Sequence, residues 1–258
     1  MKLNDNFYTI DGVEYPRVSR VLSIIRNKSL ETWRGKVGNK EANLVMREAS
    51  KVGTRLHKLI EKALYNEKIG IKKTESKEVL ACLEGFKEWA LTRNPKPLGV
   101  EVTVVSREYG YAGTIDLIEE GIITDWKTAA RLSPSYWIQL AAYANACREE
   151  SRSIDKVRIV RLDKTLGIFE EQEKTVEELA PFWVAFRALL DFYKQWEQIG
   201  KEEEDDDTDN RSGEDESADT EVEGGPALDK TEVSYDWRRE DWKKRVLGSG
   251  GHDPLSGM

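Results

Sequence analysis

With 258 residues, a formal charge of −8 and two cysteines, the chain is long enough for one sizeable domain plus an extension, and its cysteines are too few for a disulfide framework. Its apolar runs all fall short of the roughly 20 residues that a membrane-spanning helix needs. The leading Met1-Lys-Leu-Asn-Asp-Asn-Phe7 has neither an apolar secretory core nor an arginine-rich transit pattern, so a cytoplasmic location is expected.

Charge is unevenly spread. From Lys201 onward 8 basic residues stand against 19 acidic ones, a net −11, which leaves 32 basic and 29 acidic residues, +3, before it. The body is weakly basic and the acid lies at the C-terminal end.

Residues 1–96 read mainly as helix. Helical apolar spacing runs through 18–66 and 75–93, with Gly35, Gly38 and Gly53 as interruptions and Asn94-Pro-Lys-Pro97 as a stop. On these helices Trp33, Arg34, Lys36, Lys40, Arg47, Lys51 and Arg55 bring aromatic and basic groups together, as in proteins that grip a single strand by phosphate pairing and base stacking. Ordinary amphipathic helices with solvated lysines give the same pattern. Ser19, near the first helix start, can cap that helix or bond a phosphate. His57 lies one turn before Glu61, which can fix the imidazole tautomer.

Residues 97–173 read as a sheet core. Glu101 alternates with Val100 and Val102, and Tyr109-Gly-Tyr-Ala-Gly113 offers glycines for a tight return. In the next strand Ile115 and Leu117 point one way, Thr114 and Asp116 the other; Glu119-Glu-Gly121 then turns the chain into a third strand, where Asp125 and Lys127 share a face. Glu101, Asp116, Asp125 and Lys127 thereby reach one sheet edge. Carboxylates suit a hard cation such as Mg²⁺ or Mn²⁺, and a lysine beside the ion can orient or deprotonate a water that attacks a phosphodiester. For an isolated Asp-x-Lys the plainer reading is a surface ion pair.

A helix over 134–149 starts at Ser133-Pro134 and sets Gln139 and Tyr143 on one face, either hydrogen-bonding DNA or the site's own loop or, for Tyr143, packing in the core. Strands near 156–163 and 166–172 precede a closing helix, 175–199, with Leu179, Phe186, Leu190 and Tyr193 at three-to-four spacing. The fold class is α/β, a mixed central sheet flanked by helices. Residues 201–233 read as an acidic disordered linker. Residues 234–258 form a short aromatic and basic segment, either an unstructured end or a tethered peptide that docks on a partner. The acidic run can compete with nucleic-acid phosphates for the basic surface, a brake that salt weakens.

The order Glu101, Gly113-Thr-Ile-Asp116, Ile123-Thr-Asp125-Trp-Lys127-Thr128 resembles the PD-(D/E)XK nuclease superfamily. Gln139-Leu-Ala-Ala-Tyr143 is similar to the Q-x-x-x-Y helix of its RecB-like branch, and Gly53-Thr-Arg-Leu-His57 to the G-T-x-x-H motif of the same branch. Tyr15-Pro-Arg-Val-Ser-Arg-Val-Leu22 with Leu30-Glu-Thr-Trp33 resembles the start of RecB-like single-domain exonucleases, phage-encoded ones among them, so that the likeness covers residues 15 to 195. It implies a restriction-endonuclease-like nuclease domain over 1–200. It implies Mg²⁺ or Mn²⁺ on His57, Glu101, Asp116, Asp125 and the Trp126 carbonyl, with Lys127 assisting the water. Gln139, Tyr143, Thr128, Glu61, Ser19, Trp33 and Arg55 would contact DNA or support the site. The implied activity is a metal-dependent DNA exonuclease on ends or single strands, in recombination, repair or replication of a prokaryote or a phage-infected cell, with a recombination or replication protein as a possible partner of the tail. The alternatives are a structure-specific endonuclease and a non-catalytic DNA-binding accessory protein. Two departures stand out: Ile115 replaces the proline before Asp116, and Cys82 and Cys147 cannot supply the four thiolates of the iron–sulfur cluster found in related nucleases.

Overall fold

The computed structural model describes residues 2–3, 6–208 and 232–235, with side chains over 6–200. The chain opens with a small antiparallel ribbon, β1 (Lys2–Leu3), β2 (Phe7–Ile10) and β3 (Val13–Pro16), where helix dominates the sequence reading. Its cause is local. Asp11 and Gly12 have φ of 53° and 79°, the left-handed pair that a two-residue hairpin turn requires.

The predicted helix over 18–66 divides into α1 (Val18–Leu22), α2 (Lys28–Val37) and α3 (Asn39–Leu64). Of its three interrupting glycines only Gly38 breaks the chain, at φ 85°; Gly35 and Gly53 stay helical. Asn27 caps α2 by accepting the Leu30 N–H at 3.0 Å. A strand absent from the sequence reading, β4 (Ile69–Lys72), precedes α4 (Lys77–Arg93), which Ser76 caps and Asn94 ends in the left-handed conformation before Pro95.

The main sheet comprises β5 (Gly99–Ser106), β6 (Tyr111–Glu119), β7 (Gly121–Lys127), then, after α5 (Pro134–Glu149), β8 (Ile154–Leu162) and β9 (Phe169–Thr175), in the spatial order β5-β6-β7-β8-β9. Only β7 and β8 run parallel, and α5 is the crossover that a parallel pair needs. The last predicted strand starts three residues late because Asp163 accepts the N–H groups of Thr165 and Leu166, both at 2.9 Å, and holds a turn that ends at Gly167. A final helix, α6 (Ala180–Thr208), runs beyond its predicted close into the first residues of the acidic linker, where Lys201 and Glu202–Glu204 are strong helix formers. Most of that linker and of the aromatic, basic C-terminal segment lies outside the described residues. Within them, β10 (Glu232–Tyr235) pairs antiparallel with β4.

Helices cover both faces. Ile115, Ile118, Ile123, Val157 and Ile159 pack with Leu140 of α5 and Phe186 and Leu190 of α6; Leu117, Trp126, Val160 and Leu162 pack with Leu59 of α3 and Phe86 and Trp89 of α4. Trp126 meets Trp89 and Phe86 edge-on, with centroids 4.7 and 5.5 Å apart. Ile115 and Leu117, predicted to share a face, thus belong to different layers. Alternation slips at Asp116, where β6 parts from β7. No helix among the described residues is long and apolar enough to cross a membrane.

Candidate metal centre

The β6–β7 ladder runs from Glu119–Ile122 to Leu117–Thr124 and stops, whereas the β7–β8 ladder continues to Lys127–Arg161. Past Leu117 the Trp126 N–H is taken by a side chain: Asp116 Oδ2 accepts it at 2.8 Å. Opposite Asp116, Glu101 interrupts the β5–β6 pairing with φ 51°, in the left-handed region. Both irregularities turn carboxylates toward α3.

There His57 meets them. Its Nδ1 lies 3.4 Å from Glu101 Oε1 and 3.4 Å from Asp116 Oδ1, and a ligand atom from each of the three residues lies within 4.8 Å of the others. It is the one such group of potential metal ligands among the described residues. Adjacent ligands of an octahedral ion with bonds near 2.1 Å sit about 3 Å apart, so small side-chain shifts suffice. Asp125 stands outside this trio. Its buried Oδ2 lies 2.7 Å from Lys127 Nζ, an ion pair at hydrogen-bonding distance. Two carboxylates and an imidazole with ligand atoms within 4.8 Å of one another are a donor set that fits a hard divalent cation.

The charges are strongly coupled. Burial opposes a charged His57, but Asp116 and Glu101 outweigh it and raise the imidazole pKa to about 11. Burial also opposes ionisation of Asp116, yet His57, Lys127 and the Trp126 N–H hold it below the usual carboxylate range. For Asp125 burial prevails: with the Asp116 charge it lifts the carboxyl to about 6, against the pull of Lys127 and His57. Lys127 is raised, its desolvation outweighed by Asp125 and Asp116.

Helix α5 fixes the lysine. Lys127 Nζ donates to Gln139 Oε1 at 2.9 Å and lies 4.8 Å from the Tyr136 ring centroid, and Gln139 Nε2 donates to the Tyr143 hydroxyl at 2.8 Å. Tyr143 is buried in the core between α5 and the sheet, the packing role that the sequence also allows. Gly113, read as a turn glycine, lies inside β6, and a Cβ there would run into the Tyr143 ring. Thr128 lies beside α3, its Oγ1 3.9 Å from where a Gly53 Cβ would stand.

Other predicted residues are placed differently. Arg55 donates to Glu75 at 2.8 Å and to the Gly70 carbonyl at 2.7 Å, binding α3 to β4 and using its guanidinium in the fold. Glu61 makes no hydrogen bond to His57, whose ring is directed at the sheet. Ser19 sits inside α1, exposed, and Arg17 is the N-cap. Trp33 is half-buried on α2, a helix that buries no residue fully. The Trp126 carbonyl is the predicted backbone ligand; what ties this residue to the site is its N–H. The sequence reading gives no site role to Tyr8 or to Thr114, whose hydroxyls are 2.7 Å apart on the face of β6 that carries Asp116; the Asp11-Gly12 turn is the available sign of the hairpin that brings Tyr8 there.

No protein-family model matches this chain, and no curated protein matches it.

Proposed function

We propose that the protein is a divalent-cation-dependent deoxyribonuclease of the RecB-like PD-(D/E)XK type, acting as an exonuclease on DNA ends or single strands in recombination, repair or replication. The observation that carries this reading is the convergence of His57, Glu101 and Asp116 beside the Asp125–Lys127 pair, where β6 and β7 separate. His57, Glu101, Asp116 and Asp125 are the residues to hold Mg²⁺ or Mn²⁺. When bound, such an ion supplies a nucleophilic water at neutral pH and offsets charge on the phosphoryl oxygens.

The protein's own groups do the positioning. Lys127, paired with Asp125 at 2.7 Å and held by Gln139, serves as a fixed cation and hydrogen-bond donor toward the attacked phosphate. Gln139 and Tyr136 restrict it to that place, and Tyr143 restricts Gln139. Asp116 has one oxygen on the Trp126 N–H and the other toward His57, which fixes its orientation. Basic residues of α2 and the first turns of α3, among them Lys36, Lys40 and Arg47, supply the charge that draws a polyanion.

The test is digestion of end-labelled linear and closed circular DNA, single- and double-stranded, with Mg²⁺ or Mn²⁺ and with chelator. The expected result is ion-dependent release of nucleotides from linear DNA, with Asp125→Asn binding but not cutting. Efficient cutting of circles would select an endonuclease, and absence of ion-dependent cutting on every substrate would reject the nuclease reading.

A further inference from the structure

Tyr136, Gln139 and Tyr143 lie three and four residues apart and so share one stripe of α5. Their polar groups end differently. The buried Tyr143 hydroxyl accepts from Gln139 at 2.8 Å, and Gln139 accepts from Lys127 at 2.9 Å, so both are used inside the protein. Tyr136 is half-buried, with its ring centroid 4.8 Å from Lys127 Nζ. Its hydroxyl is solvent-accessible and without a hydrogen-bond partner among the described residues. The Tyr136 N–H donates to the Ser133 carbonyl at 3.0 Å and the ring packs on the core beneath α5, so the side chain is seated before any ligand arrives.

Phenylalanine would offer the ammonium the same ring face. What tyrosine adds is an O–H at the rim of that ring, protonated at neutral pH and able to donate. The lysine brings a second donor, because Asp125 at 2.7 Å and Gln139 at 2.9 Å engage two of the three N–H groups of its ammonium. Donors that take different oxygens of one phosphate, each at about 2.8 Å, stand several ångströms apart, as the rim of the ring does from an ammonium 4.8 Å from its centre.

We propose that the Tyr136 hydroxyl is a second phosphate donor of this site, binding one non-bridging oxygen of the attacked phosphate while Lys127 binds another. This rests on the nuclease reading above. It makes Tyr136 a residue that touches the substrate as well as one that restrains the lysine, and its grip is independent of base identity.

The experiment compares the full chain with Tyr136→Phe, which keeps the ring over Lys127 and removes only the hydroxyl, and with Tyr136→Leu, which removes both; thermal melts are the folding control. Binding of fluorescent single-stranded oligonucleotides of several sequences is measured with Mg²⁺ over a range of salt, each chain carrying Asp116→Asn so that the strands stay whole. Cleavage of the same strands is measured without that substitution. For Tyr136→Phe the expected result is an affinity lowered about tenfold alike on every sequence, with the salt slope unchanged because the lost donor is neutral. Its kcat should fall about tenfold as well. Tyr136→Leu should lose more of both. Binding and turnover of Tyr136→Phe equal to the parent's overturn the proposal, and so does a loss with a shallower salt slope, the mark of a tyrosine that acts only by holding the lysine. A loss confined to KM also overturns it, by putting the hydroxyl on a phosphate other than the attacked one. If the parent cuts DNA and Tyr136→Phe matches it, the role of the hydroxyl alone fails; if the parent neither binds nor cuts, the nuclease reading fails with it.

Discussion

On the sheet, Glu119, Glu171 and Glu173 gather around Arg158 at 3.3, 3.4 and 2.8 Å, with Arg93 2.6 Å from Glu171 and Lys156 3.8 Å from Glu173. At the other cluster Glu101, Asp116 and Asp125 have, among the described residues, His57 and Lys127 as cationic partners. Both clusters hold three carboxylates. In the first each has a guanidinium and the charges balance; in the second a negative charge is left over even with His57 protonated. A count of acidic residues does not separate the two. Their counter-charges do: a closed set braces strands, and a set short of one positive charge has a use for a cation.

The contrast is broken most strongly by Asp116→Asn, which should slow ion-dependent cleavage at least on the order of 10³-fold while the fold persists. A thermal melt sharpens this. Mn²⁺ at about 100 times its dissociation constant should stabilise the parent by about 2.7 kcal/mol and the variant hardly at all. Arg158→Met acts on the braced cluster: it leaves Glu119 without its guanidinium, with Glu171 and Glu173 keeping Arg93 and Lys156, and should cost about 3 kcal/mol in urea unfolding, with cleavage per folded molecule retained. Gly113→Ala should cost about 1–3 kcal/mol, because the new methyl displaces the Tyr143 ring, and should also slow cleavage by disturbing Gln139. The smallest effect is expected for Gln139→Leu, about tenfold in kcat with the melting temperature nearly kept, since Lys127 loses a guide but retains Asp125. Equal sensitivity of cleavage to Arg158→Met and Asp116→Asn would erase the distinction between the clusters.

The strands bearing Glu101, Asp116, Asp125 and Lys127 were legible because strand residues two apart share a face, and so were α5 and the body of α6 from their spacing. The departure of β6 from β7 was not. It depends on a side chain replacing a backbone acceptor, as Asp116 does for the Trp126 N–H, and periodicity carries no sign of that. The same limit applies to Arg55, whose partners Gly70 and Glu75 come from a strand and loop that the helical reading passed over. Gly113 misled for another reason: a glycine that turns the chain and one that admits a ring from a distant helix look alike in sequence.

Glu101 is a non-glycine residue at φ 51°, a conformation that costs about 1–2 kcal/mol for a residue with a Cβ. Glycine at this position would relax the backbone and steady the fold, yet take away one of the three groups around the corner. Selecting variants for thermal resistance alone would therefore drift toward losing the acid here, and a screen that scores both melting and cation affinity would see the two move in opposite directions.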